Sequence, residues 1–260
     1  MPSTKPSIAE LRAVCQPDSI MGRVSGEHWA GRLYMRHLSL YFTRVLIPLP
    51  ISPDGVTWLM ILSGVAAAAV LAIPAVWTAL VGLLLIQLQL LFDCSDGELA
   101  RWRKQTGPVG VYLDRIGHYV TESGLMIALG VRADGGYADI AGWTTIGLLG
   151  AVFVLMNKAE TDLVNVARAV AGMPVVRDQT DVLRPSVSGL AALRRLATYL
   201  PFHRAIGAPE LTVLALIAAI VDTTTGTLTG TQWLTGVLVP IAAVVAVGHL
   251  ASILTSSRFR

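Results

Sequence analysis

Charge is scarce in this chain, and cysteine is scarcer. Asp, Glu, Lys and Arg make up 14% of the 260 residues against 53% hydrophobic ones, a balance too apolar for an ordinary soluble domain. The formal net charge of +3 is small and gives no support to a nucleic-acid partner. The two cysteines, Cys15 and Cys94, lie far apart; they make no disulfide framework and read as reduced thiols. The first residues carry Pro2, Pro6 and Pro17 with no early apolar core, so no cleavable signal peptide is expected.

What the chain does have is apolar length. Several runs approach the length of a bilayer span and predict a polytopic, all-α integral membrane protein. Residues 1–25 read as a polar, proline-punctuated cytosolic segment, and residues 26–260 as a single membrane domain. That domain begins with an amphipathic juxtamembrane helix over about 27–47, where Trp29, Leu33, Leu40 and Val45 mix with Arg32, Arg36, His37 and Arg44. Six transmembrane helices follow, over about 56–72, 76–103, 109–131, 140–171, 208–223 and 233–254. Pro240 predicts a kink in the last. The fourth changes character along its length and ends with Asn157, Lys158, Glu160, Asp162, Asn165 and Arg168. Such residues face a water-filled cavity or leave the bilayer.

Against this apolar background, DCSDGELARWRKQTGPVGVYLDRIGH (93–118) stands out. Asp93 and Asp96 are three apart and Asp114 and His118 four apart, so each pair shares a helix face. Gly97 and Ala100 continue the first stripe, and Gly110 and Gly117 the second. Facing one another, the stripes place three carboxylates and an imidazole around a small-residue gap, as a metal site requires. The donors are hard oxygen ligands suited to Mg2+ or Mn2+.

The spacing closely resembles the signature of the CDP-alcohol phosphotransferase (CDP-alcohol phosphatidyltransferase) family, Asp-x2-Asp-Gly-x2-Ala-Arg-x8-Gly-x3-Asp-x3-Asp. Asp93, Asp96, Gly97, Ala100, Arg101, Gly110 and Asp114 stand at the required positions, and His118 replaces the final Asp. The resemblance implies six helices, a homodimer, and metal-dependent attack of an alcohol on a CDP-linked donor with release of CMP. Two ions about 4 Å apart would steady the attacking and leaving oxygens. Asp93, Asp96 and Asp114 are then the metal ligands, and Gly97, Ala100 and Gly110 let the nucleotide approach the backbone. Arg101 contacts a phosphate or holds an aspartate in place. Asp54 and Thr57 lie where the family keeps a segment near the nucleotide; Asp54 reads equally as a helix cap.

Two readings of His118 stand side by side: a neutral base that also binds metal, or a change that empties one metal position and disables the enzyme. Glu122, one turn on, orients that imidazole or simply lines the cavity. Lys158, Arg168, Arg194 and Arg195 form an acceptor pocket for a phosphorylated alcohol, or are ordinary basic residues beside anionic headgroups. The alternatives from other classes are a non-catalytic homologue that binds CDP-lipid or scaffolds partners, and a transporter with polar intramembrane residues. The Ala-Arg pair and the fixed gap to Gly110 and Asp114 have no reason in a generic transporter.

Charge sets the expected orientation. With both termini inside, the outer connections near Pro74, Asp134 and Gly226 contain a single cation, Arg132, while most Lys and Arg fall on inner segments. The motif turn then faces the cytosol of a bacterial inner membrane, where CDP-linked substrates are found.

Overall fold

The computed structural model describes residues 6–17, 29–174 and 204–256. Within them the chain is helical: α1 (Ile8–Cys15), α2 (Arg36–Leu46), α3 (Pro53–Leu71), α4 (Val76–Arg103), α5 (Pro108–Asp134), α6 (Gly142–Val170), α7 (Ala208–Thr225) and α8 (Thr229–Leu254). Five of these, α3, α4, α6, α7 and α8, are long and apolar enough to cross a membrane. Helix α5 has the length, but Asp114, Arg115, His118, Glu122 and Arg132 interrupt its apolar surface. A wide π-helical turn over Gly31–Met35 leads into α2.

The chain divides into two compact units, residues 1–67 with 84–121, and residues 68–83 with 122–260. In the first, α1 packs on α2. This helix lies inside the polar, proline-punctuated N-terminal segment, and its start is locally encoded. The Ser7 hydroxyl accepts from the Glu10 amide at 3.2 Å while the Glu10 carboxylate accepts from the Ser7 amide at 2.7 Å, a reciprocal cap that satisfies two free donors. Its apolar side then buries Leu11 and Cys15 against Leu40 and Trp102. A neighbouring cluster joins Leu46, Val56 and Leu99. Arg103 fastens the turn after α2, donating to the carbonyls of Leu46, Ile47, Leu49 and Ile51.

Helices α3, α4 and α5 meet around Thr121, which accepts from Gln89 Nε2 at 3.3 Å. Gly64 leaves the room: a Cβ there would overlap the Thr121 hydroxyl. Gly117 likewise makes space for Met60 and Ile61.

In the second unit, α6 packs along α8, and α7 and α8 form a hairpin. Gly226, at φ 69°, closes α7 in the left-handed conformation that glycine adopts without strain. Helices α5 and α6 approach at Gly130, where a Cβ would strike the Trp143 carbonyl. Asp134 caps α6 from the end of α5, accepting from the Ala141, Trp143 and Thr144 amides. Arg132 is 1% exposed and donates to the carbonyls of Leu71, Ile73 and Ala75 and to the hydroxyls of Thr78 and Thr231. Thr231 in turn donates to Asp222 at 2.5 Å. The one cation assigned to the outer connections is thus consumed in tying helix ends together.

Candidate metal centre

The first unit brings the acidic stripe of α4 against that of α5. His118 Nε2 lies 3.3 Å from Asp93 Oδ1 and 3.5 Å from Asp114 Oδ1. One ligand atom from each of the three side chains falls within 4.8 Å of the others. The two carboxylates, so close and only partly exposed, carry like charge that a divalent cation would relieve, and the imidazole adds a nitrogen donor. Oxygen donors with one nitrogen fit Mg2+ or, better, Mn2+.

Asp96 stands outside that group of three. Its carboxylate accepts from Thr57 Oγ1 at 2.6 Å and from the Gly97 amide at 2.5 Å. Thr57 is buried, so α3 supplies a fixed orienter for the second motif aspartate. The other α3 residue singled out from sequence, Asp54, points toward Gly110: a Cβ on that glycine would sit 3.3 Å from Asp54 Oδ1. Arg101 lies over Gly97, with Nη1 3.0 Å from where a Cβ would be. The motif's small residues are therefore covered by the side chains expected to share the nucleotide site. Where the motif turns from α4 toward α5, Lys104 takes φ 54°, and the Gln105 amide reaches back to the Ala100 carbonyl at 2.8 Å, closing the helix.

The structure brings Asp93, Asp114 and His118 together, and pairs Asp96 with Thr57 and Gly97, Arg101 with Gly97, and Asp54 with Gly110. Glu122 takes Lys158 as partner at 2.8 Å, and Arg168 donates to the Pro174 carbonyl at 3.1 Å. Arg194 and Arg195 lie outside the described residues.

Sequence reading missed Glu98. It is fully buried and accepts from Gln16 Nε2 at 2.7 Å, Ser39 Oγ at 2.6 Å and Thr43 Oγ1 at 2.7 Å. At about 100° per residue Glu98 points well away from Asp93. Helical phase alone therefore separates Glu98 from the metal stripe.

The family profile of CDP-alcohol phosphatidyltransferase matches residues 50–248, which takes in α3 to most of α8 and the whole motif. The chain belongs to the CDP-alcohol phosphatidyltransferase family. No curated protein matches it. Membership makes the protein a transferase of phospholipid synthesis, with a CDP-alcohol and an alcohol as substrates. With its five apolar helices, it is an integral membrane protein. The family is generally dependent on divalent metal, consistent with the Asp93, Asp114 and His118 group.

Proposed function

We propose that the protein transfers a phospho-alcohol or phosphatidyl group from a CDP-alcohol to an alcohol hydroxyl, releasing CMP, at the site built from α3, α4 and α5. The observation that carries this reading is the convergence of Asp93, Asp114 and His118 within one ligand sphere, on a motif spaced as the family's. Asp93, Asp114 and His118 would hold a divalent cation, with Asp96, oriented by Thr57, serving a second. The chemistry such ions supply when bound is neutralisation of the pyrophosphate and of the charge that builds on the leaving CMP.

The chain's own residues do the rest. Gly97, Ala100 and Gly110 admit the nucleotide to the helix backbones, flanked by Asp54 and Thr57. Arg101 offers its guanidinium to a phosphate oxygen. His118 has one unprotonated ring nitrogen, which either ligates the cation or accepts the alcohol's proton. Glu122 and Lys158 form a polar pair whose lysine, with Arg168, Arg194 and Arg195, would receive an anionic acceptor. Helix α5 serves as a sixth span, with Asp114 and His118 at the candidate metal site and Arg132 bound within the protein rather than facing lipid. Helix α2 lies at the membrane surface, both termini face the cytosol of a bacterial inner membrane, and the protein works as a homodimer.

The test is CMP release by purified protein in detergent, with CDP-diacylglycerol and CDP-headgroup donors against a panel of alcohols, with Mg2+, Mn2+ or chelator. Metal-dependent CMP formation from one donor–acceptor pair, lost in Asp114→Asn, is expected. An inactive native protein that gains activity in His118→Asp would instead mark a non-catalytic homologue.

A further inference from the structure

The first unit holds a second cluster that the reaction chemistry does not use. Glu98 sits on the face of α4 turned away from the aspartates. Its Oε1 accepts from Gln16, just past the end of α1, and from Ser39 of α2, and its Oε2 accepts from Thr43 of α2. Arg36 Nη1 stands 3.9 Å away. Gln16 also donates to the Arg36 carbonyl at 2.7 Å, closing a ring of α1, α2 and α4 around one carboxylate. A fully buried carboxylate is costly unless its lone pairs are filled, and here they are filled by donors from both N-terminal helices.

The same junction reaches Arg101. The last residue of α1, Cys15, has a carbonyl with no partner further along its own helix, and that oxygen accepts from Arg101 Nε at 2.6 Å. Cys15 Sγ donates to the Glu98 carbonyl at 3.3 Å. With Nε fixed from behind, the Nη groups of Arg101 are left lying over Gly97. An arginine otherwise loses considerable rotamer freedom when it binds a ligand.

We propose that α1 and Glu98 form a positioning device for Arg101: Glu98 clamps the end of α1 to the motif helix, and the Cys15 carbonyl aims the guanidinium at the nucleotide phosphates. Glu98, Gln16 and Cys15 are positioning residues and touch no substrate. This assignment rests on the reading of Arg101 as a phosphate contact, and it places a helix upstream of the matched family region within the function of the site.

The experiment measures CMP binding with Mg2+ by calorimetry, alongside thermal unfolding, for the native protein, Glu98→Gln, Leu11→Ala and Asp134→Ala. Leu11→Ala loosens α1 from its apolar seat without altering any polar partner of Glu98. Asp134→Ala removes a cap in the other unit and serves as the control for lost stability alone. Expected is a Kd for CMP weakened about tenfold in both Glu98→Gln and Leu11→Ala, with Asp134→Ala lowering Tm and leaving Kd unchanged. In turnover, the KM for the CDP donor rises and that for the alcohol stays. Native affinity retained in Leu11→Ala, or an equal loss in Asp134→Ala, overturns the positioning role even where Glu98→Gln does not fold. A native protein that binds no CMP overturns the nucleotide site itself, and the positioning role with it.

Discussion

Two groups of charge sit within apolar helices of this protein, and their partners differ in kind. Around Arg132 each guanidinium nitrogen meets a carbonyl or hydroxyl, and Asp222 stands by through Thr231. Around Asp93 and Asp114 the nearest neighbours are each other and one imidazole. The first set is saturated by fixed protein dipoles and holds helix ends together. The second gathers two carboxylates around one imidazole, an arrangement that could hold a cation. Between Arg132 and the Asp93–Asp114 pair, satisfaction by neutral partners separates the structural charge from the candidate ligands. Glu98 sharpens the point: five residues from Asp93 on the same helix, it is filled by three side-chain donors and belongs with the structural set.

The comparison breaks most visibly on the unsatisfied side. Asp114→Asn removes a ligand charge where several kcal/mol of charge stabilisation originate. CMP release should fall by about a thousandfold or more, read in a stopped assay at saturating Mn2+. Arg132→Met tests the saturated side: it removes the hydrogen bonds that join the guanidinium to Leu71, Ile73, Ala75, Thr78 and Thr231, and should cost about 3 kcal/mol of stability in detergent unfolding, with Mn2+ affinity of the folded fraction unchanged.

Cys15 lies outside the spans, and burial followed by the Glu98 charge pushes its thiol up to about 11. At pH 8 its alkylation, measured in a Cys94→Ala background, should run about a hundredfold slower than that of an exposed thiol. Because the folded chain holds this proton more tightly than the unfolded one, the site weakens stability only as pH climbs from about 9 toward 11. The smallest expected effect is at Gly64. Alanine gains about 1 kcal/mol of helix propensity but drives a Cβ into the Thr121 hydroxyl, an overpacking cost of about 1–3 kcal/mol. The net is a modest fall in Tm.

Much of this architecture is legible in the amino-acid sequence. The apolar runs of α3, α4, α6, α7 and α8 need only length and hydropathy to be found, and their expected ends fall close to the observed ones because Pro53, Pro74, Pro108 and Gly226 punctuate them. The candidate metal group is legible only in part: helical spacing puts Asp114 with His118, but it pairs Asp93 with Asp96, which stands outside the group of three. Helix α5 is less so, since its five charged residues dilute the signal that hydropathy reads. The N-terminal helix is obscured by the prolines around it, although Ser7 and Glu10 spell its start. The roles of Glu98 and Arg132 are hidden for a deeper reason. Whether a charge is satisfied depends on residues 54 to 99 positions away, and no local pattern records those partners.

The central claim is that Asp93, Asp114 and His118 form a divalent-metal centre, and Mn2+ titration followed by electron paramagnetic resonance tests it most directly. Saturable binding by the native protein, lost in both Asp93→Asn and Asp114→Asn and kept in Asp222→Asn, is the predicted result. No saturable binding, or binding untouched by either site substitution, would contradict it.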